Sequence, residues 1–141
     1  MALEKFLGLQ YPLTKTARGI MAQKNGVDQI KADLLQLLLT NPGERVMLPE
    51  FGTPLRELFF EPNDDALAAE AERMVGEAID AWEPRVELKN IVASTGAAMD
   101  LNPEDTGDEE GAILSIQIEF YDPENINEVE ELVLEVPVGG A

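Results

Sequence analysis

Any catalysis by this chain would have to run on carboxylates or Lys, because His and Cys are both absent. Their absence removes Ser-His-Asp triads, Cys nucleophiles, HExxH zinc helices and Cys-type zinc sites together. Glu44 with Glu50, or Glu50 with Glu61, has the residue types of a glycosidase acid and nucleophile. In a chain with 28 acids, however, pairs at any chosen spacing arise by chance. Sequence spacing also leaves open the spatial gap that sets a glycosidase mechanism. The second candidate is a cation loop at Asp100, Glu104, Asp105, Asp108, Glu109 and Glu110. It lacks the alternating Asp/Asn ligands, central Gly and terminal Glu of an EF-hand. The expectation is a chain with no catalytic residue, no metal ligand and no cofactor.

Charge narrows the partners. The 141 residues carry 28 Asp and Glu against 10 Lys and Arg, a formal net charge of −18. A field of that sign repels phosphate, so neither nucleic acid nor an anionic membrane is expected as a partner. An acidic mimic of nucleic acid remains a reading that rests on charge alone. The charge is unevenly spread. All 10 basic residues lie at or before Lys89, and 13 acids with no base follow from Asn90 to Ala141. Up to Gly26 the balance reverses, with Lys5, Lys15, Arg18 and Lys24 facing only Glu4. No signal-peptide core is expected in Met1 to Leu13. Leu34 to Leu39 is far short of the ~20 apolar residues of a membrane span. At 45% hydrophobic, one folded domain is expected.

The elements that must position any site read as helices first and strands afterwards. Val27, Ile30, Leu34, Leu37 and Leu38 recur at helical spacing, and Asn41-Pro42-Gly43 ends that helix. Thr53 before Pro54 predicts an N-cap and a short helix through Phe60. Asn63 or Asp64 caps a third helix with the stripe Leu67, Ala71, Met74, Ala78 and Trp82, and Pro84 stops it. From Arg85 the period becomes two. Ala112, Leu114, Ile116, Ile118 and Phe120 alternate with Ser115, Gln117 and Glu119, and Leu132, Leu134 and Val136 alternate with Glu131, Val133 and Glu135. A first strand covers about 86–94, and its alternation slips between Leu88 and Ile91, the mark of a bulge. The expected fold is α+β: N-terminal helices on one face of a three-stranded antiparallel meander. Residues 1–26 read as an N-terminal arm and 27–141 as a single domain, with helices over about 27–83, the sheet over about 85–138 and an acidic loop at 100–111. The edges of such a sheet can accept a strand from another chain.

The remaining signals are turns that combine charge with aromatics. These are Tyr11-Pro12-Leu13, the segment Leu37 to Arg45 with its Asn41-Pro42-Gly43-Glu44-Arg45 stop, Pro49-Glu50-Phe51-Gly52, Leu58-Phe59-Phe60-Glu61-Pro62, and Trp82-Glu83-Pro84-Arg85. As ordinary connectors they would only pack, with Leu58 and one Phe in the core and Glu44 and Arg45 in surface pairs worth little. In this order and spacing they resemble the baseplate wedge family of contractile phage tails. That is the family of the phage gene 25 product and the W-type tail proteins, which extends to the matching subunit of type VI secretion baseplates. The resemblance runs from about Tyr11 through the strand after Arg85, and more loosely to the C-terminus. The acidic segment Asp100 to Gly111 has no place in it.

What the resemblance implies is structural assembly, without enzyme activity, in the tail baseplate of a virion, with the host cytoplasm as the place of assembly. The family subunit joins a core bundle of helices from other wedge proteins, and its Glu-Pro-Arg element, here Glu83, Pro84 and Arg85, stabilises that junction. Gly43, Glu44, Arg45, Pro49, Phe51, Gly52, Phe59, Glu61, Pro62 and Trp82 are the matching structural positions. Its sheet starts polymerisation of the tail sheath, with tube or hub proteins as further candidate partners. The same subunit in a type VI or extracellular injection system is an open alternative. The family has also carried a lysozyme label, which would rest here on the Glu pairs alone.

Overall fold

A computed structural model describes residues 7–62, 64–97 and 112–138. The acidic segment Asp100 to Gly111 and the alternative cap Asn63 lie outside them. Strand β1 (Leu7–Leu9) pairs antiparallel with β2 (Gln23–Asn25), so the described part of the N-terminal arm is a hairpin. Gly26, at φ +58°, turns β2 directly into helix α1 (Gly26–Leu39). Of the predicted stripe, Ile30, Leu34, Leu37 and Leu38 are buried and Val27 is half-buried against them.

The next segment departs from expectation. Residues Leu55–Phe60 form a 3-10 helix that follows Pro54 without any side-chain cap. Thr53 is not its N-cap. It is fully buried, and its Oγ1 donates to the Leu37 carbonyl at 3.3 Å. The last carbonyls of an α-helix have no partner within the helix, and one of them claims this hydroxyl.

Helix α2 (Asp65–Trp82) is capped by Asp64, whose carboxylate accepts from the Leu67 N–H at 2.9 Å. Its buried stripe is Leu67, Ala71, Val75, Ala78 and Ile79. Met74 and Trp82, expected as members of the stripe, lie half-buried at its margin. A core-facing helix buries a broad stripe, and the expected one was placed to one side of its axis. Glu83-Pro84 ends the helix as predicted.

Strands β3 (Glu87–Ala97), β4 (Ala112–Tyr121) and β5 (Val129–Val138) form the expected antiparallel meander in the order β3-β4-β5. The register passes from Leu88–Phe120 to Asn90–Glu119, which leaves Lys89 as the extra residue of the predicted bulge. Leu114, Ile116, Ile118 and Phe120 are fully buried on the covered face, flanked by Leu132, Leu134, Val136 and Val138. Each such side chain contributes about 1.5–3 kcal/mol on burial. Helix α2 lies on β3 and β4, the 3-10 helix on β5, and α1 against α2. Among the described residues, no helix is long and apolar enough to cross a membrane.

Candidate functional site

Where α1 stops, residues 41–52 close into an Ω-shaped loop. The Thr53 N–H donates to the Thr40 carbonyl at 2.8 Å and ties the loop's ends together. Inside it, the Gly43 N–H donates to the Pro49 carbonyl at 2.7 Å, and Phe51 N–H to the Leu48 carbonyl at 3.1 Å. Glu44 accepts from the Asn41 N–H at 3.0 Å and from Arg56 at 3.2 Å, which anchors the loop to the 3-10 helix. Gly52 sits at φ +125°, and a Cβ there would collide with the Thr40 carbonyl. That close approach of two backbones explains the glycine. The loop's outward turn carries Val46 and Met47, 93% and 91% exposed.

The loop folds Phe51 back onto the end of α2. The Phe51 and Trp82 rings meet edge to face at 5.4 Å and 67°, and the Arg45 guanidinium lies 4.6 Å from the Phe51 centroid. Stacking of this kind adds about 0.5–1.5 kcal/mol per aromatic pair. Immediately after Trp82, the Arg85 Nε donates to Glu83 Oε1 at 2.5 Å, and its Nη2 donates to Glu83 Oε2 and to Asp33 Oδ2, both at 2.6 Å. One guanidinium therefore holds the corner between α2 and β3 and bolts it to α1. The Glu83 hydrogen bond raises the proton affinity of Arg85; partial burial opposes this, and Asp33 adds to it. The charge on Arg85 is thus fixed at any working pH. Glu83 is buried, while Pro84 between the paired residues is exposed. A cleft of about 190 Å³ opens between Arg45, Phe51, Trp82, Glu83 and α1.

Three of the five sequence signals thus converge: the helix stop with Gly43, Glu44 and Arg45, the turn with Pro49, Phe51 and Gly52, and Trp82 to Arg85. The other two lie elsewhere. Phe59 packs against the core and lines a groove of about 400 Å³ with Tyr11, Leu39, Leu55 and Val136. Glu61 and Pro62 line another, of about 410 Å³, floored by Leu58, Leu67 and Met74. Asp33 was not picked out from the sequence. Its partner Arg85 lies 52 residues away, and an acid on the polar face of an amphipathic helix carries no local sign of such a pairing.

The glutamates posed as a glycosidase pair are placed for other work. Glu44 is engaged by Asn41 and Arg56, and Glu44, Glu50 and Glu61 are all exposed. A glycosidase acid depends on shelter that lifts its proton affinity. Among the described residues, no cluster of three or more acids is arranged to hold a metal ion.

The two sheet edges differ. On β3, the Ala93 N–H donates to Glu72 Oε1 of α2 at 2.8 Å, so a helix side chain occupies that edge. On β5, Glu131, Val133, Glu135 and Pro137 alternate with the buried residues on the exposed face. Pro137 pairs with Ile113 of β4 although it has no N–H to give. Its backbone phase is therefore the one that faces away from β4.

The family model described as baseplate wedge protein gp25 matches residues 24–121. Among solved structures, a candidate tail lysozyme from Geobacter sulfurreducens is 29% identical with a TM-score of 0.60, over 79% of this chain and 90% of that one. A chain of the anti-feeding prophage baseplate is 24% identical with a TM-score of 0.66, over 83% of this chain and 85% of that one, a likeness of fold. No curated protein matches the sequence.

Proposed function

We propose, since this chain belongs to the baseplate wedge protein gp25 family, that it serves as a rigid two-sided adaptor in a contractile tail. As a baseplate wedge subunit of a contractile injection system, it is a structural component of the tail baseplate. Its first side is the corner at Glu83, Pro84 and Arg85 with the adjoining 41–52 loop, which docks the helical core bundle of other wedge proteins. The observation that carries this side is the Arg85 clamp on Glu83 and Asp33. Because the guanidinium is already engaged, Arg85 acts as a positioning residue. The surface offered to the partner is Pro84, Val46 and Met47.

The second side is the β5 edge, which starts the sheath by accepting an extended strand. Glu72 already occupies an N–H of β3, whereas β5 retains a row of outward backbone groups. Backbone hydrogen bonds supply attachment in this mode, and side chains supply selectivity. The exposed, uncoupled glutamates give no support to a lysozyme activity, and the name of the Geobacter relative stays with that protein.

Two variants test the sides separately. Val46→Ser with Met47→Ser should leave a folded subunit that fails to join wedge proteins co-expressed with it. Val133→Pro removes an outward N–H in the same phase as Pro137 and spares the β4 ladder. It should incorporate into wedges but fail to start sheath polymerisation. Normal wedge incorporation of the first variant, or normal sheath growth on the second, would overturn the corresponding half.

A further inference from the structure

Residues 7–25 form an ordered hairpin with a composition unlike the rest of the molecule. Lys15, Arg18 and Lys24 lie in it with no Asp or Glu, in a chain whose net charge is −18. Beyond the β1-β2 base, the Gln10 N–H donates to the Ala22 carbonyl at 3.0 Å and the Ala22 N–H to the Thr14 carbonyl at 2.9 Å. Lys15 then pairs with Met21, and the Thr16 N–H donates to the Ile20 carbonyl at 2.7 Å to close the tip. Leu13 and Ile20 are 63% and 65% exposed, and Leu9, Tyr11 and Met21 are exposed as well. Lys15 and Arg18 form no ion pair among the described residues. A two-stranded hairpin is marginal in water unless something covers a face of it. Here the base packs on α1, while Leu13, Ile20 and Met21 beyond it stay exposed on the same short segment as Lys15 and Arg18.

We infer that this hairpin is a docking arm that lays Leu13, Ile20 and Met21 onto an apolar patch of another baseplate protein, with Asp and Glu of that partner meeting Lys15 and Arg18. The inference rests on the wedge reading above but concerns a surface separate from both of its sides. Charge selects the occupant. Phosphate surfaces, whether nucleic acid or membrane, are repelled by the molecule as a whole. A second copy would bring another −18 and would bind head to tail, a contact that does not close on itself in a pair. An acidic, apolar patch on a different and less charged protein is what remains.

The test is co-expression with the other wedge proteins, recovery through a tag on one of them, and quantification of this chain in the recovered complex. Lys15→Glu with Arg18→Glu, and separately Leu13→Ser with Ile20→Ser, should each lower recovery about tenfold or more. Both should keep the wild-type circular dichroism and a Tm within about 2 °C, because all four side chains are exposed. Recovery of the wild type should fall as salt rises from about 0.1 M to about 0.5 M. Full recovery of both variants overturns the arm. So does an arm-dependent dimer of the isolated chain in sedimentation, or arm-dependent binding to vesicles of anionic lipid. Failure of the wild type itself to be recovered counts against the wedge reading, on which the arm rests, and is told from failure of the arm alone by the wild-type lane.

Discussion

Arg85 shows how one side chain joins segments distant in sequence. Its removal leaves Glu83 buried without its cation, a loss costed at about 3–5 kcal/mol for a fully buried pair. Because Arg85 is 30% exposed, Arg85→Ala should destabilise by about 2–3 kcal/mol, measured by urea unfolding. Arg85→Lys should recover only part of that, since an ammonium cannot form the paired bonds to Glu83 while reaching Asp33. Gly52 gives a second prediction at this scale. Gly52→Ala should cost more than about 1 kcal/mol, whereas Gly43→Ala meets no neighbour and is limited to the strain of its φ of +92°. A Gly43→Ala loss equal to that at Gly52 would show that backbone conformation, rather than the approach of Thr40, decides both. The turn residues were visible in the sequence because Gly and Pro leave local signatures. The ion pair was not, since its members lie on different elements.

Helix α2 roofs the sheet and takes one backbone N–H of its β3 edge. Glu72 makes that bond, and Glu72→Ala should destabilise by about 1–2 kcal/mol by leaving the Ala93 N–H unpaired. The same change should raise the tendency of β3 to pair with other chains, read as concentration-dependent aggregation. On the exposed side of α2, Arg73 bonds Glu70 and Glu77. The hydrogen bond from Arg73 is the main cause that holds the Glu70 carboxyl below its ordinary value; desolvation opposes it, and the Arg73 charge adds to it. A lowered carboxylate contributes stability above its unfolded value and loses it as pH falls through the folded one. The Tm difference between wild type and Arg73→Ala should therefore be present at neutral pH and shrink as pH falls below the ordinary glutamate value of about 4.3. Helix and strand periods, and even the β3 bulge, were legible because they are properties of adjacent residues. The centre of the α2 stripe and the 3-10 character of residues 55–60 were not, because packing against β3, β4 and β5 decides them.

At the scale of the molecule, the charge divides it into parts with different work. The described sheet places Glu131 and Glu135 on the exposed face of β5, beside the edge proposed to receive a sheath strand. Like charge there keeps free subunits from pairing edge to edge and favours a basic incoming strand. Sheath initiation on assembled baseplates should accordingly weaken as salt rises, scored as the fraction of baseplates that carry sheath. An unchanged fraction would mean that backbone pairing alone selects the strand. The N-terminal hairpin carries the opposite charge on the same body. The described part of the arm packs at its base on α1 through β1 and β2, and the docking role proposed for it belongs to its exposed tip.

The sequence by itself determined the periodic and local features: three helical segments, a three-stranded meander, the turns that end them, the family and the absence of His and Cys chemistry. Those follow from hydrophobic spacing, from the restricted backbones of Pro and Gly, and from composition. Only the tertiary structure decided that Asp33 completes the Arg85 clamp, that Thr53 bonds α1 instead of capping the next helix, and that Glu72 takes an N–H of β3. The reason is physical. Each of these is a bond between groups 16 to 52 residues apart, and no pattern along the chain records which polar groups the packing of a core will bring within reach.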